Sequence, residues 1–213
     1  MTYRLVIFDF DGTLADSAAW LRGIINEVAR RYRFRTLSDD DFERLRGKTT
    51  REILAHLDVS SWKLPFIARH LRGLVARDAH LIPLFPGVHE LLARLDAGGV
   101  VTAVVSSNAE RNVRTILGAE SAARIRHYAC GAGLFGKRGK FRQVLRASRV
   151  APEEAIAIGD EVRDLEAALG ERIAAGAVGW GYATTEILRA HRPTVLFERF
   201  DDMVRALVGV ASD

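Results

Sequence analysis

The chain of 213 residues has a single cysteine, Cys130. One thiol cannot close a disulfide within the chain, nor build a cysteine-rich zinc site. It reads as a small apolar residue, not a nucleophile. The six histidines are scattered without the spacing of metal ligands. No apolar run approaches the ~20 residues that span a bilayer, so no membrane partner is expected. The opening residues, MTYRLVIFDFDGT, lack the cationic, apolar and small-residue segments of a secretion signal, and a cytoplasmic location is expected. There is no internal repeat and no low-complexity tract. Charge of one sign is also lacking: 31 Lys and Arg against 27 Asp and Glu leave a net +4, spread along the chain. So mild an excess does not call for nucleic acid. The Arg30 to Arg35 cluster has no aromatic platform beside it and reads as a solvated helix end, so no nucleic-acid partner is expected.

What is present suits a soluble globular protein. Apolar residues are 48% and charged residues 27% of the chain, enough for one sizeable core and a small second module. Leu5 to Phe8 is a short apolar run that stops at Asp9 and reads as a buried parallel strand. Val100 to Val105, Ala155 to Ile158, Ile173 to Val178 and Thr194 to Phe197 read alike. Helical stripes separate most of them: Leu91, Leu92 and Leu95; Val113, Ile116 and Leu117; Phe141, Val144 and Leu145; Leu165, Ala168 and Leu169. The alternation predicts an α/β fold with a Rossmann-like parallel sheet of about five strands. From Ser17 to Pro83 the pattern is helical only, as in Trp20, Leu21, Ile24, Ile25 and Val28. An all-helical module inserted over 17–83 is expected, with the core formed by 1–16 and 84–213.

Ligands of such sheets bind at the carboxyl ends of the strands. The first strand is followed by Asp9-Phe10-Asp11-Gly12-Thr13, the second by Ser106-Ser107-Asn108, the third by Gly159-Asp160-Glu161 with Asp164 one helical turn on. Carboxylates gathered at one edge repel each other unless a cation joins them. Oxygen donors beside a phosphate point to Mg2+.

These residues resemble a known family. DFDGTLADS, VVSSN, a downstream lysine and GDEVRD are similar to the motifs of the haloacid dehalogenase superfamily, and the similarity spans nearly the whole chain. The chain looks closest to the phosphoglycolate-phosphatase-like branch, whose small helical cap lies between the first strand and a helix start such as Pro86-Gly87-Val88. The resemblance implies a Mg2+-dependent phosphatase acting on a small phosphorylated metabolite through an aspartyl-phosphate, as a monomer or homodimer. It makes Asp9 the nucleophile and Asp11 the general acid and base. Asp9, Asp11 (through its main-chain carbonyl), Asp160 and Asp164 become the metal set. Ser106 would bind the transferring phosphoryl group with help from Ser107 and Asn108, and Gly12 and Thr13 would border it. Lys137 is preferred as the catalytic lysine, with Lys140 as the alternative. In the cap, Arg46, Gly47, Lys48 and Arg51 are expected to face the substrate.

Other readings compete. A phosphomutase of the β-phosphoglucomutase type would share the chemistry and return the phosphate to sugar. Halocarboxylate dehalogenases need neither a second aspartate nor a metal, so Asp11 and Asp160 speak against them. A regulatory protein that keeps the fold would have lost a catalytic group, and none is missing. Gly131 to Gly136 satisfies GxGxxG, but only a feeble strand, His127 to Cys130, precedes it. With Lys137 the run approaches a P-loop, yet Arg138 stands where Ser or Thr is needed.

Overall fold

The structure is a computed structural model and describes residues 3–131, 133 and 136–208. Ala132, Leu134 and Phe135 of the GxGxxG run lie outside the described residues. The strands are β1 (Leu5–Phe8), β2 (Val101–Val104), β3 (His127–Tyr128), β4 (Ala155–Gly159), β5 (Ala174–Val178) and β6 (Val195–Phe197). They form one sheet in the order β3-β2-β1-β4-β5-β6, every pair parallel. The α/β fold expected from the sequence is the one observed, with six strands where about five were expected. The addition is β3, whose two residues pair with Ala103 and Val104. The feeble strand read over His127 to Cys130 is two residues long in the structure and pairs along the edge of β2.

The helices are α1 (Ala18–Tyr32), α2 (Asp39–Arg46), α3 (Thr50–His56), α4 (Leu64–Asp78), α5 (Val88–Ala97), α6 (Glu110–Arg124), α7 (Lys137–Ser148), α8 (Val162–Gly170), α9 (Thr185–Ala190) and α10 (Phe200–Val208). Alternate strand residues face opposite layers. Val6, Phe8, Val104, Ile156 and Ile158 pack with Leu91 and Leu95 of α5, Leu117 of α6 and Met203 of α10. Leu5, Ile7, Ala103, Ala155 and Ala157 pack with Phe141 and Val144 of α7, Leu165 and Ala168 of α8 and Leu188 of α9. The second layer is rich in alanine, so α8 lies close against β4 and β5. Leu169 departs from its expected stripe and is 47% exposed. Gly118 breaks α6 with a left-handed φ of 75°, a departure from the continuous helix that Val113, Ile116 and Leu117 suggest. No helix among the described residues is long and apolar enough to cross a membrane.

Residues 17–83 contain α1 to α4 and no strand. Reciprocal capping starts two of these helices, Ser38 with Asp41 for α2 and Thr49 with Glu52 for α3. Val28, Ile67 and Leu74 form their own small core, joined by Trp20, Ile24 and Leu71. The chain leaves and re-enters the sheet side by side. The Asp16 N–H donates to Pro83 O at 2.8 Å, and the Phe85 N–H donates to Leu14 O at 2.9 Å.

Candidate active site

β1 lies between β2 and β4, and the chain winds outward in both directions from it. A crevice opens at the carboxyl ends of strands where the winding reverses. The segments that follow β1, β2 and β4 meet there.

Asp9 continues β1 by one residue, its N–H donating to Ile158 O at 2.8 Å. Its carboxylate is buried, and its Oδ2 lies 2.7 Å from Nζ of Lys137. Lys137 is the first residue of α7 and only 3% exposed, and its ammonium also pairs with Asp164. Asp160 follows β4 and is fully buried. Its Oδ1 accepts the Thr13 hydroxyl at 3.0 Å, and its Oδ2 accepts the Tyr182 N–H at 2.8 Å. Asp164 accepts the Glu161 N–H at 3.1 Å, half of the capping box that starts α8. Glycine is required twice in this packing. A Cβ on Gly12, whose φ is 80°, would lie 2.3 Å from Asp160 Oδ2, and one on Gly181 would lie 2.2 Å from Asp160 Cβ.

From β2 comes the other wall. Ser106 Oγ accepts the Asn108 N–H at 2.9 Å, which leaves the hydroxyl proton available to a ligand. Asn108 donates its side-chain amide to Asp11 Oδ2 at 3.2 Å, and Asn112 fixes the Asn108 carbonyl at 3.0 Å. Asp11 is thereby tied to the segment that follows β2.

The electrostatics show a shortage of positive charge. Burial pushes the Asp9 carboxyl up to about 7, with Asp164 adding to the rise against Lys137 and Arg163. Burial also raises Asp160 well above its ordinary value, followed by the charges of Glu161, Asp9 and Asp164. Asp11 is raised by burial and restrained by Asn108. Burial disfavours the Lys137 ammonium, but Asp164 and Asp9 outweigh it and its pKa rises. Asp9, Asp160 and Asp164 bring oxygens within 4.8 Å of one another. Three buried carboxylates gathered this closely are a donor set that a hard divalent cation fits.

Of the lysines, Lys137 reaches the carboxylates; Lys140 is half-buried and acts on Cys130. Burial pushes the Cys130 thiol up to about 12, which leaves it no nucleophile at neutral pH. Thr13 donates its hydroxyl to Asp160. Ser107 turns its carbonyl to Arg72 of α4, at 3.2 Å from Nη1. Arg46 reaches across to the sheet and donates to the carbonyls of Tyr182 at 3.1 Å and Gly181 at 3.4 Å. Gly47 ends α2 with an ordinary φ of −86°. Lys48 is exposed and pairs with Glu52 at 3.6 Å, and Arg51 is exposed. Lys48 lies in the turn between α2 and α3, and the partner it meets there is Glu52 of α3.

Four further residues belong to this neighbourhood. Tyr182 bonds Ser17 through its hydroxyl at 2.7 Å. Arg72 touches the Ser107 loop. Glu161 accepts the Thr50 hydroxyl at 3.2 Å, and Arg163 pairs with Glu161 at 2.5 Å. Glu161 and Arg163 stand inside GDEVRD, where motif spacing draws attention to the aspartates alone. Arg72 is brought in from a distant helix, for which the sequence holds no signal.

The sequence profile of the haloacid dehalogenase-like hydrolases matches residues 6–178. A phosphoglycolate phosphatase of Synechococcus elongatus is 29% identical over 205 residues, covering 96% of this chain and 97% of that protein. The tyrosine-protein kinase PtkA of Mycobacterium tuberculosis is 31% identical over 215 aligned positions, covering 97% of this chain and 73% of the kinase. Among solved structures, a predicted phosphatase from Clostridium acetobutylicum superposes with a TM-score of 0.81 at 19% identity, over 97% of this chain and 98% of the other. At that identity the likeness speaks to fold. With its profile match spanning most of the sequence, this chain belongs to the haloacid dehalogenase-like hydrolase family.

Proposed function

We propose that the protein is a Mg2+-dependent phosphatase that hydrolyses a small phosphomonoester, phosphoglycolate or a similar acid or sugar phosphate, through a phosphorylated Asp9. The observation that carries this reading is the buried set of Asp9, Asp160 and Asp164 with Lys137 set against two of them. The substrate class is supported by the phosphatases among the relatives.

A carboxylate oxygen of Asp9 attacks phosphorus, and the bond to the leaving alcohol breaks. Asp11 gives its proton to the departing oxygen. Its raised pKa suits a carboxyl that starts out protonated. As a carboxylate, Asp11 then takes a proton from a water that attacks the phosphoryl group. The bond from phosphorus to Asp9 breaks, inorganic phosphate leaves, and the Asp9 carboxylate is restored. Lys137 stabilises the charge that gathers on the phosphoryl oxygens, and Ser106 donates to them. Asp9, Asp160 and the main-chain carbonyl of Asp11 would hold Mg2+, with Asp164 steadying the set, and the ion supplies charge neutralisation where like charges approach.

Residues 17–83 act as a cap on a core made of 1–16 and 84–213. Hinges near Ala15-Asp16 and Leu84-Phe85 would let it open for exchange and close against water. The paired hydrogen bonds where the chain leaves and re-enters the sheet are where such hinges would lie.

Phosphate release from a panel of phosphorylated metabolites with Mg2+ tests the reading. Wild-type protein should turn over at least one short acid or sugar phosphate, and Asp9→Asn should lose at least ~10³-fold in kcat while its folding transition persists. Isomerisation of glucose 1-phosphate in place of phosphate release would identify a mutase. Transfer from ATP to tyrosine, the activity in the kinase relative's name, would displace the phosphatase reading.

A further inference from the structure

We infer that Arg163 is a phosphoryl-binding residue of this site, its free guanidinium N–H groups serving as donors to the oxygens of the bound phosphate. The inference rests on the phosphatase reading for its setting and adds a residue that the motif aspartates do not include.

Arg163 lies on the first turn of α8, next to Asp164 and three residues beyond Asp160. Its side chain is 15% exposed. Nη2 donates to Glu161 Oε1 at 2.5 Å. Nε and Nη1 are buried, and among the described residues they have no acceptor. Those two nitrogens carry three of the five N–H bonds of a guanidinium. Leaving buried donors unpaired is costly, and structures keep such groups rarely and for a reason. One bond to Glu161 already anchors the side chain, so anchoring does not account for the rest.

The surroundings place the side chain near the reacting carboxylates. Asp164, the next residue along α8, bonds Lys137, and Lys137 bonds Asp9. The Arg163 charge acts on both Asp9 and Asp11, the two carboxyls between which phosphorus must sit. The other carboxylate oxygen of Glu161 takes the Thr50 hydroxyl of α3, so the Arg163 pair lies at the seam beneath the helical module.

The chemistry matches one class of ligand. Several N–H groups fanned from a planar cation suit an acceptor with several oxygens, and a phosphoryl group is such an acceptor. Two of the three Lys137 donors are taken by carboxylates, so the unpaired donors of Arg163 add to the one that Lys137 has left for a phosphoryl oxygen.

The test is titration of inorganic phosphate into the full chain with Mg2+ by calorimetry, beside turnover of one phosphomonoester. Arg163→Met should weaken phosphate binding at least about tenfold and raise KM in proportion, with Tm kept within a few degrees. Arg163→Lys, which keeps the charge and loses the fork, should fall between wild type and Arg163→Met. Phosphate affinity and KM within twofold of wild type in Arg163→Met would overturn the inference. So would a fall in kcat alone with phosphate binding unchanged, which would make Arg163 a support for Asp164. Should Arg163→Met fail to fold, wild-type phosphate affinity in Arg163→Lys would overturn it equally. Wild-type protein that binds phosphate through Arg163 yet hydrolyses nothing in the panel would sink the phosphatase reading and leave this one standing. Normal turnover with an indifferent Arg163 would do the reverse.

Discussion

At Asp9 a carboxylate is buried beside one ammonium, and the two effects oppose each other. Burial holds the proton on, Lys137 pulls it off, and the balance stands at about 7. Removing Lys137 takes away the cation that favours the ionised form of Asp9 and leaves burial and Asp164 pushing the other way. In the proposed mechanism Asp9 must be ionised to attack phosphorus, and Lys137 also faces the phosphoryl oxygens. Lys137→Met should therefore cut kcat by at least ~10²-fold, while Lys140→Met stays within about threefold of wild type. Comparable losses in both variants, measured as initial rates of phosphate release, would show that Lys137 has no special place. Asp9, Asp11 and Asp160 were legible in the sequence because each follows an apolar run that ends abruptly in acid. Arg163 was not, because its significance lies in two nitrogens left without an acceptor, a property of its surroundings.

At the scale of elements, α4 is tied to α1 at its far end. Asp78, the last residue of α4, takes Arg77 Nε at 2.6 Å and Nη2 at 2.8 Å, and Trp20 Nε1 of α1 at 3.1 Å. Arg77 first and Trp20 next hold its carboxyl down at about 2. A carboxyl depressed on folding adds stability above its unfolded pKa of ~3.9 and loses it as pH falls through about 2. Arg77 is 61% exposed, so solvent screens much of that gain. Asp78→Asn should cost on the order of 1 kcal/mol at pH 7 by urea denaturation. The difference between variant and wild type should close near pH 2; a gap of equal size at both pH values would assign the effect to packing. The helices of this region were readable from their apolar spacing. β3 was readable only as a feeble strand over His127 to Cys130, since so short a run carries little period and owes its conformation to a neighbouring strand.

Across the whole molecule, the proposed cation would join residues that follow β1 and β4, with α8 behind them. A ligand that binds only the folded chain stabilises it by mass action, about 2.7 kcal/mol at a hundred times its Kd. For a chain of 213 residues that corresponds to roughly 5–10 °C in Tm. Mg2+ should raise Tm by that order, EDTA should return it, and Asp160→Asn should abolish the shift. A Tm indifferent to Mg2+ in the wild type, read by scanning calorimetry, would remove the metal from the site.

The residues alone determined that strands alternate with helices, that acids end the first and third predicted strands, and that a helical stretch interrupts the alternation. These follow from local spacing and from the chemistry of side chains that are neighbours in sequence. Tertiary structure decided the rest. Lys137 and Lys140 differ by only about 4.5 Å along one helix axis, yet the first reaches buried carboxylates and the second does not. Lys48 and Arg46 are two residues apart, and the folding of α2 and α3 sets one beside Glu52 of α3 and the other against the carbonyls of Gly181 and Tyr182. Depth and direction are set by packing between distant segments, and no local pattern encodes them.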